Sequence, residues 1–141
     1  MRGGSMSDLK ALVRRVYDEV FNEGKVELID ELLAENFVEH EQMPGMPSDR
    51  EAPKMYTQMA RNAFPDFRMT VEEVLQDGNK VIVRGRSSGT HKGEFWGMPP
   101  TGNTFDIAFI DILEYDGDKM VGHWGVTDTA AMMEQLGGAA A

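Results

Sequence analysis

The side chains able to move protons sit on otherwise apolar, strand-like stretches in the last third of the chain. Phe105, Ile107, Phe109, Asp111 and Leu113 share one phase of a strand, so Asp111 is a lone carboxylate in an apolar row. A buried carboxylate is costly unless it is paired, and Arg84, Arg86 and His123 on neighbouring segments are its candidate partners. Met120, Trp124, Val126 and Asp128 share a phase on the last strand, which sets a second carboxylate beside a large aromatic wall. Asp128 also precedes a helical stretch starting at Thr129, where Asp is a preferred N-cap, so capping and chemistry compete for it. His91 ends a strand after Gly89-Thr90 and precedes the loop 95–102, from which it can titrate near neutrality or donate a hydrogen bond to a substrate oxygen. His40 closes a short extended segment, and His123, in the opposite phase from Trp124 and Asp128, is assigned to the other sheet face or to an oligomer contact.

This set of groups suits acid/base chemistry without a cofactor. The three histidines form no His-x-His or His-Glu-x-x-His, so no metal site is expected. No nucleophile elbow, P-loop or dinucleotide glycine fingerprint is present, and the two prolines within 97–102 make that loop a poor phosphate cradle. The chain has no cysteine, which fits a reducing cytoplasm as its location. A formal net charge of −10 repels nucleic acid and anionic membranes, and no apolar run approaches the roughly 18 residues of a membrane span. Eleven methionines offer adaptable apolar lining; Met98, Phe95 and Trp96 in the loop, with Tyr56, Phe109 and Trp124, are the candidate substrate-binding residues.

The elements that must position these groups follow from periodicity and punctuation. Residues 1–5 read as an expression leader, residues 6–137 as one domain and residues 138–141 as a flexible tail. Ser7 is a plausible N-cap for a helix carrying Leu9, Leu12, Val13, Val16, Tyr17 and Val20 on one face and ending near Gly24. A second helix over 25–34 leads into a short strand over 37–40. After the breaker-rich loop 43–47, Ser48 or Asp49 caps a third helix with Pro53 in its first turn and Tyr56, Met59, Ala60 and Ala63 toward the core. Asp77-Gly78 and Asp116-Gly117 then mark hairpins between strands 67–76 and 80–90 and between 104–115 and 119–128. Helices followed by an antiparallel meander make an α+β domain with a curved sheet wrapped around the N-terminal helices.

Phe64-Pro65-Asp66, Gly89-Thr90-His91-Lys92-Gly93, Gly97-Met98-Pro99-Pro100-Thr101-Gly102, His123-Trp124-Gly125-Val126-Thr127-Asp128 and Glu134-Gln135-Leu136-Gly137 follow one another in this order. With them the chain resembles the SnoaL-like polyketide cyclases, or ester cyclases, of the NTF2-like superfamily. The resemblance implies a cone-shaped α+β barrel, and it casts Asp128 as the general acid/base and His40 as a cavity-facing imidazole. It implies a cofactor-independent enzyme that closes or isomerises a small hydrophobic carbonyl compound by proton transfer, with His91, His40 or Asp111 donating hydrogen bonds to the enolate oxygen. Two other readings compete. One is an epoxide hydrolase using Asp111 and Asp128 bridged by Arg84 or Arg86, although no Arg-x-Asp pair lies on one strand. The other is a non-catalytic small-molecule-binding protein, which would have no acid facing its cavity. Apolar residues in both strand phases, such as Phe109 beside Ile110 and Ile112, call for cover on both sheet faces and so for a homodimer.

Overall fold

The computed structural model describes residues 8–41 and 43–137. The proposed leader, the Ser7 cap and the proposed tail lie outside the described residues. The first helix, α1, is α-helical over Leu9–Arg15 and continues as a π-helical turn over Val16–Phe21. A single 3-10 turn, Val26–Leu28, leads into the short α2, Ile29–Leu32. The strand β1 then starts at Leu33 and runs to Glu39, earlier than expected, because the chain turns extended at Leu33 and pairs with the last strand. The third helix, α3, covers Glu51–Ala63; Arg50 is its cap residue, while the Asp49 carboxylate accepts from the Glu51 N–H at 2.9 Å.

The four remaining strands are β2 (Arg68–Asp77), β3 (Lys80–Thr90), β4 (Thr104–Asp116) and β5 (Lys119–Thr127), followed by α4, Thr129–Leu136. They form one curved, unclosed sheet in the order β1-β5-β4-β3-β2. All neighbours are antiparallel except β1, which lies parallel to β5. The alternation expected for β4 is present throughout, with Phe105, Ile107, Phe109, Asp111, Leu113 and Tyr115 buried. On the inner face these residues pack against Val13, Val16, Tyr17 and Val20 of α1. Each large apolar side chain so buried stabilises by about 1.5–3 kcal/mol.

Two polar clamps hold the helices on the sheet. The Asn22 side chain exchanges hydrogen bonds with the backbone of Met69, at 2.9 and 2.7 Å, fixing the end of α1 on β2. Arg61 of α3 donates to the carbonyls of Phe21 and Asn22 at 3.2 and 2.7 Å. The π-helical turn that these clamps follow contains Tyr17, the residue that α1 contributes to the polar site.

One irregularity decides which side chains of β5 face inward. Tyr115 pairs with Met120, and Glu114 pairs with Gly122, so Val121 is an extra residue on β5. Such a bulge flips every later side chain relative to those before it. Met120 therefore points inward, while Trp124 and Val126 point outward, opposite Ile112 and Ile110. His123, Gly125 and Thr127 take the inward positions, opposite Leu113, Asp111 and Phe109.

Candidate active site

Between α1, α3 and the inner sheet face lies a cavity enclosing about 840 Å³, counted out into its open mouth. Its walls are mostly apolar, among them Val16, Phe21, Phe37, Met69 and Met120, but one side carries Tyr17, Glu39, Glu41, Asp111 and His123. The parallel pairing of β1 with β5 sets Glu39 beside His123, and the antiparallel pairing of β4 with β5 sets Asp111 opposite Gly125.

His123 is the centre of this group. Its Nδ1 donates to Glu39 Oε2 at 2.5 Å and its Nε2 to Asp111 Oδ1 at 2.8 Å. Burial works against an imidazolium here, but the hydrogen bonds and charges of Asp111 and Glu39 outweigh it, and the pKa is pushed up to about 10. The other Asp111 oxygen accepts from the Tyr17 hydroxyl, whose own pKa is driven well above the usual range by burial and by the Asp111 charge. Glu41 Oε1 stands 3.9 Å from His123 Nε2. Burial, reinforced by the charges of Asp111 and Glu39 against that of His123, raises the Glu41 pKa.

Space for this cluster comes from Gly125. A Cβ added there would lie 2.6 Å from both Glu41 Oε1 and His123 Nε2, and closer still to Asp111 Oδ1. Three polar groups thus occupy the volume that any other residue's side chain would need.

A second, smaller cavity of about 400 Å³ shares Met43, Tyr56 and Thr127 with the first and is otherwise walled by residues including Phe64, Phe95, Trp96 and Met132. Tyr56 lines both cavities, and Phe95 and Trp96 line the smaller one. Phe109 lies behind the first cavity, stacked on Tyr17 with ring centroids 5.8 Å apart. Met98 closes a turn against Phe95 and is among neither cavity's lining residues.

The other expected placements need correction. Asp128 is exposed and accepts from the Ala131 N–H at 3.1 Å as the N-cap of α4. Trp124 stands on the outer sheet face with His40 stacked on it, ring centroids 4.2 Å apart and planes within 1°. His123, assigned to the far face, points into the cavity instead. All of these shifts on β5 trace to the extra residue Val121. His91 is fully buried beside Phe64, lines neither cavity, and receives the Thr101 N–H on Nδ1 at 3.3 Å. Sequence reasoning missed Tyr17, which reads as one more core residue of an amphipathic helix, and Glu39 and Glu41, whose strand reads as too short to place them. The available signal was the phase of Glu39 and Glu41 with the apolar Phe37.

Among the described residues, Glu41, Asp111 and His123 bring one donor atom each within 4.8 Å of one another, close enough to share an ion. Both imidazole nitrogens, however, are occupied by protons in the hydrogen bonds to Glu39 and Asp111, and a metal would have to displace one of them. The donor set fits a proton-binding cluster better than a metal centre.

Comparison with known proteins agrees with this architecture. Residues 11–136 match the family model of the SnoaL-like polyketide cyclases. Wild-type IdmH from Streptomyces antibioticus, described as a putative polyketide cyclase, is 34% identical over 92% of this chain and 98% of its own, with a TM-score of 0.79. A protein from Bacillus cereus with the same description is 29% identical over 94% of this chain and 82% of its own, with a TM-score of 0.82. AclR from Streptomyces galilaeus, described as a putative hydroxylase, shares the fold at 24% identity, 95% and 87% coverage and a TM-score of 0.81. A comparison with curated proteins found no match. With the NTF2-like fold in place and a family match covering nearly the whole domain, the chain belongs to the SnoaL-like polyketide cyclase family.

Proposed function

We propose that this protein is a cofactor-independent acid/base enzyme that closes or isomerises a hydrophobic carbonyl compound in the cavity headed by Asp111 and His123. The observation that carries the reading is the pair of buried Asp111 and partly buried His123 at one wall of an otherwise apolar cavity, bracketed by Tyr17 and Glu39. The Asp111 carboxylate removes a proton from the carbon next to the carbonyl, and the neighbouring imidazolium offsets the negative charge that develops. An intramolecular aldol-type closure suits such a site, since the walls need only fold the substrate while protons move. The family match and the likeness to IdmH support the same class of chemistry.

The epoxide hydrolase reading loses its support: Arg84 is paired with Glu72 and Glu73, Arg86 with Asp106, and Asp128 lies outside the cavity. The carrier reading required a cavity without acids. A ketone with exchangeable α-hydrogens, 2-acetylnaphthalene, provides the test. In D2O the protein should accelerate loss of its methyl proton signal, and Asp111→Asn should lower that rate by about a hundredfold or more; exchange that is absent, or equal in the variant, removes the proposal.

We also infer a homodimer through the outer sheet face. Ile110, Ile112, Trp124 and Val126 stand exposed there as two cross-strand pairs, with Val126 at 75% exposure. Apolar sheet surface of this kind is association surface. Val126→Lys should shift the sedimenting species from dimer to monomer, and an already monomeric parent protein would overturn the inference.

A further inference from the structure

Among the described residues, the polar wall contains three carboxyl groups and one imidazole, and the cavity lining includes no Lys or Arg. An imidazolium has two N–H donors. Glu39 takes one and Asp111 the other. Glu39 Oε2 also accepts from the Glu41 N–H at 3.0 Å, and the second Asp111 oxygen is held by Tyr17. These bonds tie both acids into a fixed framework. Glu41 is different. At 3.9 Å from His123 Nε2 it is beyond hydrogen-bond distance of the wall's one cation, and among the described residues Thr127 is its side-chain hydrogen-bond partner. With Glu39 and Asp111 as carboxylates against one imidazolium, the wall already carries one negative charge, and an ionised Glu41 would add a second with no further cation among the described lining residues.

We infer that Glu41 is the proton carrier of this site: a carboxylic acid that faces the cavity, donates its proton to the substrate's carbonyl oxygen and recovers it when the reaction closes. This assignment rests on the acid/base reading given above. In the first step Asp111 takes the α-proton, the C–H electron pair becomes a carbon–carbon double bond, and the carbonyl oxygen takes the proton of Glu41, leaving an enol, a protonated Asp111 and an ionised Glu41. In the second step the enol carbon attacks the second carbonyl of the same substrate. The enol O–H returns its proton to Glu41, and Asp111 protonates the new alkoxide. Every group ends as it began, and the product is an isomer of the substrate.

The Asp111 and Glu41 oxygens lie within 4.8 Å of each other, so one carbonyl compound can meet both. Burial and the like charges of Asp111 and Glu39 favour the protonated form of Glu41, the form this role needs. Tyr17 on α1, Tyr56 on α3, Glu39 at the end of β1, Asp111 on β4 and His123 on β5 are the other titratable groups facing it.

Glu41→Gln keeps the shape and removes the transferable proton. With 2-acetylnaphthalene in D2O, the variant should lose about a hundredfold in exchange rate. The parent rate should fall as pH rises through the Glu41 pKa, and that limb should vanish from the variant. A variant with the parent rate and the parent pH profile overturns the role of Glu41; if Asp111→Asn still abolishes exchange in that case, the acid/base reading stands. A parent protein that exchanges nothing fails at the earlier step. Glu41 is then tested directly by ¹³C-carboxyl resonances across pH. A Glu41 signal that stays protonated well above the ordinary glutamate range supports the inference, and one titrating like a surface glutamate ends it.

Discussion

Two histidines sit near opposite ends of β4, His91 fully buried and His123 partly so, and they are held in opposite ways. His123, on β5, has a carboxylate on each ring nitrogen, opens on the larger cavity and is carried as an imidazolium to about pH 10. His91, after β3, has the Thr101 backbone N–H and hydroxyl at Nδ1, the Phe64 ring beside it and no hydrogen-bond partner for Nε2 among the described residues. An N–H aimed at a ring nitrogen requires a lone pair there, so Nδ1 of His91 accepts where both ring nitrogens of His123 donate. The backbone around it is tied as well: its N–H bonds Asn103 and its carbonyl accepts from Gly102, each at 2.9 Å. Residue type alone does not distinguish a site from a strut. The partners do, and here they are carboxylates in one case and the uncharged N–H and hydroxyl of Thr101 in the other.

The largest expected effect comes from breaking the charged end. Asp111→Asn leaves one side of the imidazolium without its carboxylate, and removing one partner of a buried pair costs about 3–5 kcal/mol. The His123 pKa should fall from about 10 toward its ordinary value, because burial pulls it down and the hydrogen bond to Asp111 does most to hold it up. NMR titration of the three histidines checks this directly. A His123 resonance that does not move would mean that Glu39 alone holds the charge, while the His91 resonance should be unaffected.

Gly125→Ala tests the same end by volume instead of charge. Its Cβ would sit 2.6 Å from Glu41 Oε1 and His123 Nε2, so side chains locked by hydrogen bonds must shift. Overpacking of this kind costs about 1–3 kcal/mol. The more diagnostic result is loss of exchange activity alongside that modest destabilisation. Full activity in a folded variant would show that the cluster tolerates displacement.

The two ends should also respond to pH in opposite directions. The folded pKa of His123 lies above the unfolded value of about 6.5, so its contribution is complete below that pH and is lost as pH rises toward about 10. The slope is at most about 1.4 kcal/mol per pH unit for one proton. Glu41, also raised, loses stability in the same direction. At the other end Asp66 accepts from both the N–H and the hydroxyl of Thr90, next to His91, and those bonds lower its pKa. Its contribution is present above its unfolded value, near 4, and is lost as pH falls through the lower folded value. Thermal unfolding followed by circular dichroism should therefore show greatest stability on the acid side of about pH 6.5, with the loss from Glu41 setting in above about pH 4.3 and that from His123 above about 6.5. A maximum near pH 8 would contradict the charge assigned to His123.

Much of the scaffold was legible because it rests on local rules. The Asp-Gly turns place both hairpins, and the strict alternation along β4 puts Asp111 on the inner face. The candidate site was only partly legible, since its geometry depends on two non-local features. Nothing near Val121 announces a bulge, yet that single residue exchanges His123 for Trp124 on the cavity wall. Nor does the stretch after Leu33 announce a parallel partner 87 positions on, at Met120, although that pairing is what brings Glu39 to His123. The helical spacing of Tyr17 marks it as buried, which it is, but its hydroxyl's partner is 94 residues away.

The smallest effect is expected at the loop end, where Trp96 and Gly97 form a two-residue turn with positive φ at both positions, 49° and 79°. Phe95 and Met98 close it by mutual backbone hydrogen bonds at 3.0 and 2.9 Å. Positive φ at both central residues is the pattern of a type I′ turn, which prefers Asn-Gly, and a tryptophan in left-handed conformation carries about 1–2 kcal/mol of strain. Against that strain stand the contact with Phe95, with ring centroids 4.5 Å apart, and the wall that the indole gives the smaller cavity. At 45% exposure the indole recovers only part of its burial energy. Trp96→Asn should therefore leave stability unchanged or raise it by up to about 1 kcal/mol, a few degrees in Tm. A variant that is more stable but binds 2-acetylnaphthalene more weakly would show that strain is kept at this end for the sake of the ligand. A clear loss of Tm would show that the indole is a packing element and would make the loop end structural in both its histidine and its tryptophan.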